Sequence, residues 1–334
     1  MPGPRRPSLR RLHGCLAYHQ TLLADARRNR AFHRALAARV RPGATVLDLG
    51  AGTGLWAVAA ARLGARRVVA VEREAVLLPV IEALARENGV ADRLETVLGD
   101  ARRIRLPRVF DVVVSEMVGN EAFEEGLLKI LERARERFLR PGGALVPEWV
   151  ALEAAPVRAP SPLGLRPPLF PAASVAALAA HAARSLDPAA LAALAPGREL
   201  LRVDLHQARA ASALPVARAR FRIGDGRAVG GIAVWVVAGL APGVRLSTRG
   251  GTHWLPTFLP LDPLPAGPGR LDVEIDWNPA SRRWSVVFEG DRGARRAAHH
   301  SPLFAWGAVR PGLRDIRAIR AGRRRAGRRR VNAK

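Results

Sequence analysis

The stretch Thr45-Val-Leu-Asp-Leu-Gly-Ala-Gly-Thr-Gly54 decides the fold of this 334-residue chain. A short apolar run ends in glycines at alternate positions, and residues 55–63 behind them are Ala-rich with a helical pattern. Glycines let a backbone turn tightly and approach a ligand closely, and a helix N-terminus presents free N–H groups. Gly50, Gly52 and Gly54 are thus candidate cofactor contacts. A dinucleotide fingerprint needs its third glycine at position 55, where this chain has Leu55. Glu72 closes the next apolar run, eighteen residues after Gly54, where a carboxylate accepts hydrogen bonds from a ribose diol. Gly99-Asp100 and the adjoining Ala101 offer a further polar edge beside an adenine pocket.

Outward from that stretch, strand and helix patterns alternate at the spacing of a parallel α/β sheet. Strands are expected at residues 67–71, 94–98, 109–114 and 144–146, the last after the turn Arg140-Pro-Gly-Gly143. Helices are expected at 74–88, stopped by Gly89, and at 126–139. After Trp149 the character changes. Residues 156–172 are rich in Pro, 173–195 form an Ala/Leu-rich pair of helical segments broken at Asp187-Pro188, and runs such as 200–205, 231–237 and 271–276 alternate with Gly and Pro turns. That second pattern predicts antiparallel β structure. The expected layout is a basic N-terminal tail (1–14), a Rossmann-like α/β domain preceded by a helix (15–150), a β-barrel-like substrate domain with a helical arm at about 173–195 (151–309), and a basic C-terminal tail (310–334).

Composition narrows the class. With 49% hydrophobic residues and a mean hydropathy near zero, the chain has material for two cores. No run approaches the ~18 apolar residues of a membrane span, and Met-Pro-Gly-Pro-Arg-Arg is followed by no apolar segment, so a membrane or secretory destination is not expected and a cytoplasmic one is. A lone Cys15 rules out an internal disulfide and a Cys-based zinc site, and no metal is expected. The formal charge is +25, of which the two tails (1–12 and 310–334) supply +14. The run Arg-Arg-Arg-Ala-Gly-Arg-Arg-Arg at 323–330 suits weak electrostatic contact with nucleic-acid phosphates.

Against that background, residues 115–125 (Ser-Glu-Met-Val-Gly-Asn-Glu-Ala-Phe-Glu-Glu) hold four carboxylates in eleven positions. Negative charge concentrated in so basic a chain points to a site for a cation.

The glycine pattern, the acidic strand end and Gly99-Asp100 resemble the class I S-adenosylmethionine-dependent methyltransferases. Three further segments resemble the protein arginine N-methyltransferases, over roughly residues 15–290. They are His19-Gln-Thr-Leu-Leu-Ala-Asp25-Ala-Arg-Arg28 on a predicted helix, Ser115-Glu116 with Glu125 nine residues beyond Glu116, and Thr252-His253-Trp254 following Leu246-Ser-Thr248. The resemblance implies S-adenosylmethionine as cofactor, with Arg28 on its carboxylate and His19 close by. It implies an arginine-containing protein or peptide as substrate, with its guanidinium between Glu116 and Glu125. It pairs Asp25 with His253, possible proton acceptors, and puts Trp254 near the substrate. It also implies a homodimer formed through the helical arm.

The chemistry is coherent. An arginine side chain stays protonated near neutral pH, so its nitrogens have little lone pair to offer a methyl group. Two flanking carboxylates hold the guanidinium and draw its charge toward one side, leaving the other terminal nitrogen more nucleophilic for in-line displacement. Glu124 competes with Glu125 for the second position. The ~6.5 pKa of imidazole suits a relay at His253, and a carboxylate partner is expected to raise it. The chain departs from the family pattern at residues 8–17, which lack tyrosine, and at Met117, Val118 and Asn120, where aromatic residues are usual. These departures leave other acceptors open: a small amine or guanidine, a peptide natural product, or RNA.

Overall fold

The computed structural model describes residues 9–300, except 124, 159–183, 186–187, 189–190, 211–213, 225–227, 262–263, 265–266, 277–282 and 291–292. Two helices open the chain, α1 (Leu9–Ala24) and α2 (Ala26–Arg39). Five strands then form a parallel sheet: β1 (Thr45–Leu49), β2 (Arg67–Glu72), β3 (Leu94–Leu98), β4 (Phe110–Val114) and β5 (Leu139–Val146), in the order β3-β2-β1-β4-β5. Helices α3 (Leu55–Arg62), α4 (Leu78–Glu87) and α5 (Leu127–Arg137) connect them. β1 is buried along its whole length and β2 at all but its first residue, as expected for central strands covered on both faces. The strand order reverses beside β1, which pairs with β2 on one side and β4 on the other. Ligands of such sheets bind at the carboxyl ends of the strands where the order reverses. Gly50, Glu72 and Ser115 all stand at strand ends there.

The chain leaves this sheet after Val146 and enters an antiparallel one at Trp149. β6 (Trp149–Val157), β7 (Arg184–Ser185), β8 (Arg198–Asp204), β10 (Gly231–Ala241) and β12 (Thr257–Pro260) lie in the order β7-β12-β10-β6-β8, and β11 (Val244–Ser247) pairs with β10. A second antiparallel sheet takes β9 (Ala217–Ile223), β13 (Gly269–Asp276), β14 (Arg283–Gly290) and β15 (Gly293–His300). One continuous core runs from Phe32 and Trp56 through the parallel sheet to Trp284 and Phe288 of the last sheet. The glycine stretch and the β region therefore share one packed interior. This is the α/β arrangement expected, a Rossmann-like sheet followed by antiparallel β structure.

Local corrections have physical causes. The single helix expected across residues 19–28 is two, broken at Asp25, whose side chain leaves the helix to accept the Arg28 N–H at 2.9 Å and cap α2. The helix expected from residue 74 begins as a 3-10 turn, Ala75–Leu77, because Pro79 suits only the first turn of an α-helix. The turn expected at residues 140–143 is part of β5, which carries a register irregularity opposite Phe110 and Val112. Of the helical arm expected over 173–195, residues 173–183 lie outside the described residues. In its remainder Arg184–Ser185 is extended and pairs with Thr257 and Phe258, Pro188 stands in a 3-10 turn and its carbonyl accepts the Leu191 N–H, and Ala193 bridges to Val157. Extended pairing on β6 and β12 satisfies backbone groups that an isolated helical turn would leave to solvent.

Candidate active site

The glycine turn is a cradle with a roof. Gly50, Gly52 and Gly54 have φ of +77°, +58° and +83°, a region that side chains disfavour. A Cβ on Gly50 would lie 2.8 Å from Met117 Sδ, and one on Gly52 would lie 2.8 Å from His19 Cε1. So α1 and the acidic loop both close over the turn. Glu72 is buried and organises it, accepting the Gly52 N–H through Oε2 at 2.8 Å and the Arg73 and Glu74 N–H groups through Oε1 at 2.7 and 2.9 Å. Ser115 Oγ donates to Leu49 O at 2.8 Å and ties the end of β4 to that of β1. Glycines that bring backbone close, a carboxylate at the end of β2 and the open N-terminus of α3 fit a nucleoside with a polar tail. Asp100 is paired with a neighbouring arginine. Arg102 holds both its oxygens, at 2.9 and 2.7 Å, and pushes its carboxyl down to about 2, while Ala101 beside it is buried.

Arg28 and Glu116 meet directly. Arg28 Nε donates to Glu116 Oε2 at 2.8 Å, and its Nη2 reaches the same oxygen. Nη1 donates to Leu22 O at 3.3 Å and Asn29 Oδ1 at 2.8 Å. Of five guanidinium hydrogens, one on Nη2 then has no partner among the described residues. Below, the guanidinium carbon lies 5.0 Å from the Trp56 ring centre and 6.0 Å from that of Phe32, two rings that stack at 5.0 Å. Arg28, expected to face a cofactor carboxylate, is here the partner of Glu116. Burial pushes the Glu116 carboxyl up, and Arg28 pulls it back. His19 is kept below its ordinary value chiefly by burial, with Glu72 opposing and Arg28 assisting.

A second knot joins segments far apart in sequence. Asp25 Oδ2 receives both the His253 N–H and the His253 Nδ1, each at 2.8 Å, while Oδ1 caps α2. Burial raises the Asp25 carboxyl, but hydrogen bonds from Arg28 and His253 outweigh it and leave it below the ordinary value. His253 does not rise as expected of a carboxylate partner: burial, helped by the charge of Arg28, lowers it more than Asp25 raises it. Trp254 Nε1 donates to Val118 O at 2.6 Å, and the ring is buried, a structural placement that holds the acidic loop. Asn120 Oδ1 accepts the Leu255 N–H at 3.1 Å, and Arg27 Nη1 donates to Gly250 O at 3.0 Å. Thr248 Oγ1 accepts the Val236 N–H at 2.9 Å and anchors this loop to β10.

The acidic loop divides differently from its sequence. Glu116 is enclosed, Glu121 is buried, Glu125 is exposed, and Glu124 lies outside the described residues. Burial, then the charges of Glu125 and Glu116, push the Tyr18 hydroxyl up, and Arg28 opposes them. Four contributors escaped sequence reasoning. Trp56 and Phe32 look like ordinary core residues, Tyr18 looks like an isolated surface aromatic, and Asp48 sits inside an apolar run. Asp48 is fully buried, and burial pushes it up to about 7. The one sequence signal for it was a carboxylate at a position whose neighbours all point to a core.

A methyltransferase domain model matches residues 46–143, which include the glycine turn and the whole acidic stretch 115–125. The fold and the cradle thus define a class I methyltransferase. The chain is 31% identical over 291 residues to the Arginine N(omega)-methyltransferase of Streptomyces achromogenes subsp. streptozoticus, a match covering 80% of this chain and 78% of the relative. It is 37% identical over 144 residues to the Protein arginine N-methyltransferase PRMT10 of Oryza sativa subsp. japonica, spanning 42% of this chain and 38% of that protein. Among solved structures it is similar to the Trypanosoma brucei PRMT1 enzyme-prozyme complex with AdoHcy, with a TM-score of 0.76, 19% identity and coverage of 86% and 98% of the two chains. The chain belongs to the arginine N-methyltransferase family and is an S-adenosylmethionine-dependent enzyme.

Proposed function

We propose that this enzyme methylates a terminal guanidinium nitrogen of arginine, held between Glu116 and Glu125. The observation that carries this reading is the Glu116–Arg28 contact: a buried carboxylate at the mouth of the cradle already receives a guanidinium, through Nε and Nη2. A substrate guanidinium offers the same kind of donors to the same carboxylate. Bidentate pairing with carboxylates fixes its plane and concentrates its positive charge on the bonded edge. Glu125, nine residues on and exposed, supplies the second carboxylate at the open side.

When bound, S-adenosylmethionine would supply an electrophilic methyl group for the free nitrogen. Gly50, Gly52 and Gly54 would admit its body, Glu72 its ribose, and the remaining Nη2 hydrogen of Arg28 its carboxylate. His19 covers the cradle in its neutral form, adding no positive charge near a cationic cofactor. His253 is likewise kept neutral, and the ionised Asp25 places the ring hydrogen on Nδ1, which leaves Nε2 able to accept the proton the guanidinium loses.

The acceptor class has two readings. A protein or peptide arginine is supported by the similarity to protein arginine methyltransferases from plants and trypanosomes. Free arginine or another small guanidine is supported by the name of the Streptomyces relative, which matches over most of both chains. The basic body favours small acceptors too, since the +11 left to it after the tails' +14 of +25 repels arginine-rich peptides outside the reach of the glutamates. Equal concentrations of L-arginine, an arginine-rich peptide library and RNA, incubated with methyl-labelled cofactor and resolved by mass spectrometry, test the reading. Label on a guanidine nitrogen is expected, and label confined to RNA would refute it.

A further inference from the structure

α2 and α3 meet around one arginine. Phe32 lies one helical turn after Arg28 on α2, and Trp56 is the second residue of α3, two positions past Gly54 of the cradle. Both rings are buried, and they stack with their centres 5.0 Å apart and their planes 21° from parallel. The Arg28 guanidinium lies over the pair, its carbon 5.0 Å from the centre of Trp56 and 6.0 Å from that of Phe32. Aliphatic side chains would fill a helix seam as well. A stacked ring pair beneath a guanidinium adds an attraction that aliphatic groups lack, and it is strongest where water is excluded.

Two kinds of contact then hold Arg28 in different directions. Its hydrogen bonds to Glu116 Oε2, Leu22 O and Asn29 Oδ1 leave from the edge of the guanidinium, in its plane. Hydrogen bonds tolerate broad angles at an acceptor oxygen, so edge contacts leave the tilt of that plane loosely set. The rings lie against its face and limit the tilt. We propose that Trp56, backed by Phe32, is a positioning residue for cofactor recognition: it sets the plane of Arg28, and with it the direction in which the remaining Nη2 hydrogen meets a carboxylate. The ligand feature that the platform selects is the carboxylate of an amino-acid tail, not the nucleoside. This assignment rests on the reading above that Arg28 takes the carboxylate of S-adenosylmethionine. Because Trp56 belongs to the first turn of α3, the platform is built on the same short element as the glycine turn.

Calorimetry with two ligands tests it: S-adenosylmethionine and its decarboxylated form, which differ in that one carboxylate. Trp56→Leu should raise Kd for S-adenosylmethionine about tenfold, the scale of one misdirected charge-assisted hydrogen bond, and change Kd for the decarboxylated form less than about twofold. Trp56→Phe keeps a ring face and should stay within about threefold of the unmodified enzyme for both ligands. Phe32→Leu is a smaller change at the more distant ring; it should raise Kd for S-adenosylmethionine about threefold with the same selectivity, and it decides the matter if Trp56→Leu does not fold. Equal losses for the two ligands would overturn the assignment, because they would make the rings plain packing. So would an unchanged Kd for S-adenosylmethionine in the leucine variants. Equal affinity of the unmodified enzyme for the two ligands would instead overturn the underlying reading of Arg28, and it is seen without any variant.

Discussion

Removing the Asp25 carboxylate should loosen the knot that joins the N-terminal helices to the β region. In Asp25→Ala, three donors lose their acceptor at once: the Arg28 N–H at 2.9 Å, the His253 N–H at 2.8 Å and the His253 ring nitrogen at 2.8 Å. The Asp25 side chain is 2% exposed, so water does not replace it without rearrangement. Loss of an N-cap costs about 1 kcal/mol. Each of the other two donors, left buried without a partner, costs about 1.5 kcal/mol. The expected destabilisation is about 4 kcal/mol in urea unfolding followed by tryptophan fluorescence. Asp25→Asn keeps one oxygen but turns an amide toward a donor, so it should recover about half of that loss. A double-mutant cycle with His253→Ala isolates the pair, and the coupling should be about 2 kcal/mol. A loss below about 1 kcal/mol for Asp25→Ala, or additivity in the cycle, would refute the reasoning.

Two other perturbations follow from the cradle. Gly52→Ala combines a φ of +58° with a Cβ 2.8 Å from His19 Cε1, so cofactor affinity should fall about tenfold or more by calorimetry; a change under about threefold would contradict the cradle geometry. Asp48 is pushed up to about 7, so between the unfolded carboxyl value near 4 and pH 7 the folded state binds a proton that the unfolded chain has released. That contribution is fully present below the unfolded value and is lost as pH rises, at about 1.4 kcal/mol per unit across the window. Asp48→Asn mimics the protonated form, so its stability relative to the parent should climb steadily from pH 4.5 to 7. A difference independent of pH would show that Asp48 is not protonated in the fold.

The parallel sheet was legible because its determinants are local. Residues 45–49 and 94–98 are apolar runs bounded by turns, and both form strands at those limits. Glycines at 50, 52 and 54 announce their own backbone conformation. Asp25 was recognised through a family signature, yet its break in the helix was not, because a capping aspartate and a solvent-facing one look alike until His253, 228 positions away, is placed against it. The Arg28–Glu116 contact was not foreseen for the same reason: the 88-residue separation carries no local signal. The Ala/Leu-rich segment at 184–195 has high helix propensity, but sheet edges at β6 and β12 offer it hydrogen bonds, and tertiary context overrides propensity. Glu121 and Glu125 are equivalent in composition; only the fold buries one and exposes the other.

The central claim is that Glu116 and Glu125 together make the acceptor nitrogen nucleophilic, and Glu125→Gln tests it most directly. Glutamine keeps the shape and removes the charge, at an exposed position. Measured with methyl-labelled cofactor and the better of L-arginine and an arginine peptide, kcat/KM should fall about a hundredfold to a thousandfold, the scale of losing one preorganised charge partner. Cofactor affinity should be unchanged. Guanidine methylation by Glu125→Gln at the rate of the unmodified enzyme would contradict the account.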